Sequence, residues 1–119
     1  MRNIFIICLL VIVASSAFAA DFVSPIGFEP TESNKSAVIA YVQESVRNEY
    51  AVLGINSESA LRMMEEENLR AFKKLLTAED KEVLSRVIKQ YCGIGMCNYV
   101  TINMMYEEEM KAKNTQLEW

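Results

Sequence analysis

Three stretches of the chain repeat apolar side chains at the spacing of an α-helix, and a fourth is apolar almost all round. Ile39, Val42, Val46, Tyr50 and Leu53 follow one another at intervals of 3, 4, 4 and 3, which places all five on one helical face. Ser33 or Asn34 caps this helix, since either side chain accepts a hydrogen bond from the first unpaired amides, and Gly54 marks its end. Leu61, Met64, Asn68, Phe72 and Leu75 form a second stripe, capped by Asn56 or Ser57 with Glu58 in the first turn. Along this helix Glu65, Glu66 and Glu67 precede Arg70, Lys73 and Lys74, the order that suits the helix dipole, and Glu66 pairs with Arg70 one turn on.

Thr77-Ala78-Glu79-Asp80 opens a third helix with a cap and acids in the first turn. Val83, Leu84, Val87, Ile88 and Tyr91 then make one buried face, and Gly93 stops it. The segment from Met96 to Lys113 carries Met96, Cys97, Tyr99, Val100, Ile102, Met104, Met105 and Tyr106. The alternation of Val100, Ile102, Met104 and Tyr106 also fits a strand, but the chain offers no second strand to pair with it, so a fourth helix is expected. Its polar half pairs Glu107 with Lys111 and Glu109 with Lys113. Both prolines lie at or before Pro30, so residues 20–33 read as an extended arm whose Phe22 and Phe28 pack on the body or stay free. Residues 114–119 form a tail whose Leu117 and Trp119 are the candidates to dock.

The first nineteen residues stand apart. A short basic start, the apolar run Ile4 to Val13 and the small-x-small pattern Ala17-Phe18-Ala19 make residues 1–19 a secretory signal peptide, with Ala20 as the mature start. The run is shorter than the ~20 residues of a spanning helix. Cys8 leaves with the leader. The chain is thus assigned a leader (1–19), an arm (20–33), one helical domain (34–113) and a tail (114–119), destined for the periplasm or the extracellular space with no membrane attachment once the leader is gone.

Composition narrows the chemistry. The sequence has no His, which removes Ser-His and Cys-His nucleophilic pairs, imidazole metal ligands and imidazole proton shuttles. A net charge of −4 provides no footprint for a phosphate backbone, so no nucleic-acid partner is expected. Neither an enzyme nor a resident cofactor is expected.

Cys92 and Cys97 flank Gly93-Ile94-Gly95. In a continuous helix, residues five apart have Cα atoms about 8.6 Å apart, beyond the ~7 Å reach of a disulfide. The glycines break the helix there and make an intramolecular Cys92–Cys97 disulfide the expectation, a clip at the turn between helices three and four. A C-x4-C spacing argues against a redox pair. An intermolecular bridge is the alternative.

Met63, Met64, Met96, Met104, Met105 and Met110 coincide with the helical stripes, so core packing or an adaptable binding groove explains them more simply than Cu(I) ligation. Asn68 interrupts an apolar stripe and needs a hydrogen-bond partner, such as Asn103, or a place at a pocket or interface. The Glu triplets 65–67 and 107–109 read as solvated surface, because consecutive helical acids face different ways. Asn34-Lys35-Ser36 matches the N-glycosylation pattern.

The expectation is an all-α protein, a small four-helix bundle with one disulfide at a helix-helix turn and an extended N-terminal arm. Its expected role is binding a protein partner, or a second copy of itself, in the manner of an inhibitor, an immunity-type protein or a chaperone. The alternative is a carrier of a small apolar ligand, or with weaker support Cu(I), in a pocket lined by Met and Tyr. Candidate binding residues are Asn68, Met64, Met104, Met105, Tyr106 and Asn103.

Overall fold

The computed structural model describes residues 20–119, so residues 1–19, read as a secretory leader with Cys8 inside it, lie outside the described residues. The described chain is all-helical: α1 spans Glu32–Val52, α2 Glu58–Leu75, α3 Lys81–Cys92 and α4 Tyr99–Lys113. Each helix opens on a side-chain oxygen that accepts the amide three residues on: Thr31 from Asn34, Ser57 from Ala60, Asp80 from Val83 and Asn98 from Thr101. Such caps satisfy donors that have no partner inside the helix.

Two caps differ from expectation. Thr31 replaces Ser33 or Asn34 because the chain turns helical as soon as it leaves Pro30; Asn34 instead sits in the first turn, its Nδ2 donating to Glu29 O at 2.9 Å. Thr77 does not cap α3, because its hydroxyl donates to Lys74 O at 2.7 Å and closes the end of α2, leaving Asp80 to start the next helix. The fourth helix also begins later than Met96, at Tyr99, because the disulfide turn occupies the intervening residues. Gly95, at φ +79°, takes the left-handed position within that turn, a conformation that costs glycine little.

The helices pack as an open row, α1 on α2, α2 on α4 and α4 on α3. Val38, Val42 and Val46 of α1, Leu61, Ala71, Phe72 and Leu75 of α2, Val83, Leu84 and Val87 of α3, and Tyr99 and Ile102 of α4 form one core. Val42 and Val46 of the expected stripe are buried and Tyr50 packs against the core, but Val38 takes the place of Ile39, which is 45% exposed, and Leu53 lies past the helix end at 66%. Phe22 stacks between Tyr41 and Tyr99, with ring centroids 5.5 Å from each, and Phe28 meets Phe72 edge-on at 5.0 Å. The buried Tyr99 hydroxyl donates to Val23 O at 2.6 Å. Arm, α1 and α4 are thereby joined where helix–helix contact alone would leave a gap.

The ion pairs of α4 follow the tertiary fold rather than the helix repeat. Glu107 reaches Lys74 of α2 and Lys113 reaches Asp80 at 2.6 Å, so the expected pairs Glu107–Lys111 and Glu109–Lys113 are superseded by partners on neighbouring elements. Arg70 pairs with Glu67 rather than Glu66. Leu117 and Trp119 do not dock and stand fully in solvent.

Replacing Tyr99 by Phe leaves Val23 O without its donor and should lower stability by about 1 kcal/mol. Truncating Phe72 to Ala opens a cavity and should cost about 3–5 kcal/mol. Urea unfolding midpoints of the two variants against the parent chain measure both, and equal effects would contradict the central place of the aromatic cluster.

Candidate functional site

The disulfide joins Cys92, the last residue of α3, to Cys97, two residues before α4, with Cα atoms 4.1 Å apart. Tyr41 of α1 donates its hydroxyl to Cys97 O, tying α1 to this turn. Between α1 and the turn lies an open cleft of about 500 Å³, lined by Tyr41, Glu44, Ser45, Asn48 and Glu49 on one side and by Gly95, Met96, Cys97, Asn98 and Thr101 on the other. Ala20 closes its edge, its N–H donating to Glu44 Oε2 at 2.5 Å. Its charged lining residues are both acidic.

Burial pushes the Tyr41 and Tyr99 hydroxyls above the ordinary 10.0; the Glu44 charge adds to the effect at Tyr41, where a hydrogen bond with Ser45 opposes it, and Tyr41 adds to the effect at Tyr99. Both therefore remain neutral donors through the physiological range.

A second surface runs along α1 and α2. Phe28, Pro30, Val38, Ile39, Leu69, Phe72 and Leu76 wall a groove of about 340 Å³, whose two charged lining residues are Lys35 and Lys73. Ile39 and Leu69 also line an adjoining recess of about 170 Å³, together with Val42, Gln43, Arg62, Glu65 and Glu66.

Glu65 departs from the reading of its triplet as solvated surface. Only 5% of the residue is exposed, and its carboxylate lies 3.7 Å from Arg47 Nε and 3.4 Å from Arg62 Nη1, with no hydrogen bond to either oxygen. Glu66 and Glu67 are exposed as expected. The signal for Glu65 was present in the sequence: Leu61, Glu65, Asn68, Phe72 and Leu75 recur at 4, 3, 4 and 3, a more even stripe than the one through Met64. A carboxylate in that stripe is tolerated because an Arg one turn before it and an Arg on α1 face it.

The other candidate residues are dispersed. Asn68 is buried, with Nδ2 donating to Met64 O at 3.0 Å and Oδ1 accepting the Val100 amide at 3.5 Å. It thus serves an unpaired amide in the first turn of α4 and has backbone partners instead of Asn103. Asn103 and Tyr106 share a shallow depression of about 240 Å³ with Thr77 and Glu107, and the Tyr106 hydroxyl accepts the Asp80 amide at 3.1 Å. Met64 and Met105 pack against the core, whereas Met104 is 53% exposed. Among the described residues no three Cys, Asp or Glu side chains converge on a metal position. No described helix is long and apolar enough to cross a membrane.

No protein family, curated protein or solved structure matches the chain.

Asn68→Leu removes the acceptor of the Val100 amide and should lower stability by about 1–3 kcal/mol, with helix content retained in far-UV circular dichroism. Replacing both Cys92 and Cys97 by Ser should cost about 2 kcal/mol, since the closed loop is short. The tyrosine shifts also carry a sign. Because the folded values lie above the unfolded 10.0, the stabilisation is complete below pH 10 and is lost as pH rises through the raised values. Urea midpoints should therefore hold up to pH 10 and fall beyond it, less steeply in Tyr99→Phe.

Proposed function

We propose that the protein is exported and acts by binding another protein, with the α1–α2 groove as its contact surface. The observation that carries this reading is the exposed aliphatic pair Ile39 and Leu76, 45% and 42% accessible, at the edges of a groove floored by core aromatics. Exposed apolar side chains over such a groove are characteristic of sites that receive a partner's anchor residue. Lys35 and Lys73 border it, so the favoured partner presents an apolar anchor flanked by acidic residues. An inhibitor, an immunity-type protein and an escort for a secreted client all use such a contact. Export draws on the leader pattern of residues 1–19 and on the disulfide, which persists in the periplasm and outside the cell.

The fourth helix, apolar almost all round at its start, spends most of that surface between α2 and α3, so the groove on α1 is the favoured contact. The carrier alternative, with its variant of Cu(I), draws less support, because Met64, Met104 and Met105 line none of the cavities described above.

A photo-crosslinking residue placed at Ile39 and expressed in the native host tests the proposal. One polypeptide should be captured, and Lys35→Glu with Lys73→Glu should weaken its binding about tenfold, or about 1.4 kcal/mol. Ile39→Asp should abolish binding while the urea midpoint stays within about 0.5 kcal/mol of the parent. Capture of a second copy of the chain would make the partner a homodimer. Binding indifferent to all three substitutions would remove the groove from consideration.

A further inference from the structure

The amide of Ala20 is the donor that meets Glu44 in the cleft beside the disulfide turn, and Ala20 is the first residue after the small-x-small pattern of Ala17 and Ala19. These are independent observations, one from sequence and one from geometry, and they fall on the same atom. We infer that removal of the leader creates a charged anchor: the new α-ammonium of Ala20 docks on the Glu44 carboxylate and fastens the arm to α1. The inference rests on the export reading proposed above.

The chemistry is a hydrolysis. The Ala19–Ala20 C–N bond breaks, water supplies the oxygen of the new Ala19 carboxylate, and the amine left on Ala20 takes up a proton to become an ammonium. A neutral N–H donor 2.5 Å from Glu44 Oε2 is thereby exchanged for a cation at the same place, and charge-assisted bonds of this kind are about twice as strong as neutral ones. The surroundings favour the exchange. Glu44 and Glu49 of α1 line the cleft, the Tyr41 hydroxyl beside them is neutral, and Asp21 adjoins Ala20 in the chain. The side of the cleft formed by the disulfide turn contributes Gly95, Met96, Cys97, Asn98 and Thr101, none of them charged. No Lys or Arg lines the cleft to compete for Glu44.

The next residues are already fixed for this purpose. Phe22 lies between Tyr41 and Tyr99, and Val23 O accepts from Tyr99, so the chain is held within two residues of the new terminus. A preorganised terminus loses little entropy on pairing. The uncleaved chain can offer only the neutral amide at this position, so processing converts an existing contact into a charged one that the precursor lacks.

The test uses the mature protein purified from an exporting host, with its start read by intact mass. The α-amino pKa is measured by the pH dependence of acetic-anhydride labelling in the parent, in Glu44→Gln and in a chain with one Ser added before Ala20. The parent value should lie about one unit above the ordinary 7.7–8.0, and both variants should return to that range. Thermal midpoints should fall in the parent as pH rises through the raised value, and not in the variants. Equal pKa values in the parent and Glu44→Gln would overturn the anchor. A mature chain that starts elsewhere than Ala20 would overturn the processing assignment, and a chain released at Ala20 from a fusion would still decide the Glu44 pairing.

Discussion

Tyr99 is the side chain on which the remaining structure depends. It is the first residue of α4 and 1% exposed, and its ring touches Phe22, Tyr41 and Phe72 with centroids 5.5, 5.6 and 4.9 Å away. These neighbours come from the arm, α1 and α2, so a single ring fixes three elements relative to the fourth. A phenol suits the position better than a phenyl because the helix start lies beside the extended arm, whose carbonyls have no ladder partner. The hydroxyl satisfies one of them, Val23 O, and a buried unpaired carbonyl there would cost free energy comparable to a lost hydrogen bond. The disulfide turn immediately upstream decides where α4 begins, and hence where Tyr99 points.

An open row of helices explains why so small a protein carries both an arm and a clip. Each pair along the row buries one face, but α1 has only α2 as a helical neighbour, and α3 only α4. The free side of α1 is covered by the arm through Phe22 and by the Tyr41 bond to Cys97 O. The α3–α4 corner is covered by the disulfide, which limits the freedom of the unfolded chain more cheaply than additional core would.

Helix content, the order of four helices, the bridge and the separate arm were all legible, because period, caps and glycine placement are local properties. Errors arose where a tertiary neighbour chose between two nearly equivalent local options. Val38 and Ile39 are adjacent and similar, and the tertiary packing of α1 puts Val38 in the shared core and leaves Ile39 45% exposed. Thr77 and Asp80 are both good caps, and the end of α2 claims the first. Glu65 was misread through its neighbours: three consecutive acids look alike in sequence, while only Glu65 falls on the face turned toward Arg47 of α1. Asn68 was recognised as needing a partner, but the partner is a backbone amide at a helix start, which no side-chain pairing argument identifies.

The charge distribution bears on binding in a way that net charge conceals. A total of −4 would favour a basic partner, yet the cleft and the groove carry opposite signs: Glu44 and Glu49 line the cleft by the disulfide turn, and Lys35 and Lys73 border the groove on α1 and α2. At physiological ionic strength the field of distant acids is screened beyond about 8 Å. A partner seated as proposed would therefore respond to the two lysines and to the apolar floor, not to the total. The overall charge acts earlier, during approach, where it slows an acidic partner. Under the proposed binding, affinity and approach would be set by different residues, and the selectivity of the groove would lie in the contact rather than in long-range attraction.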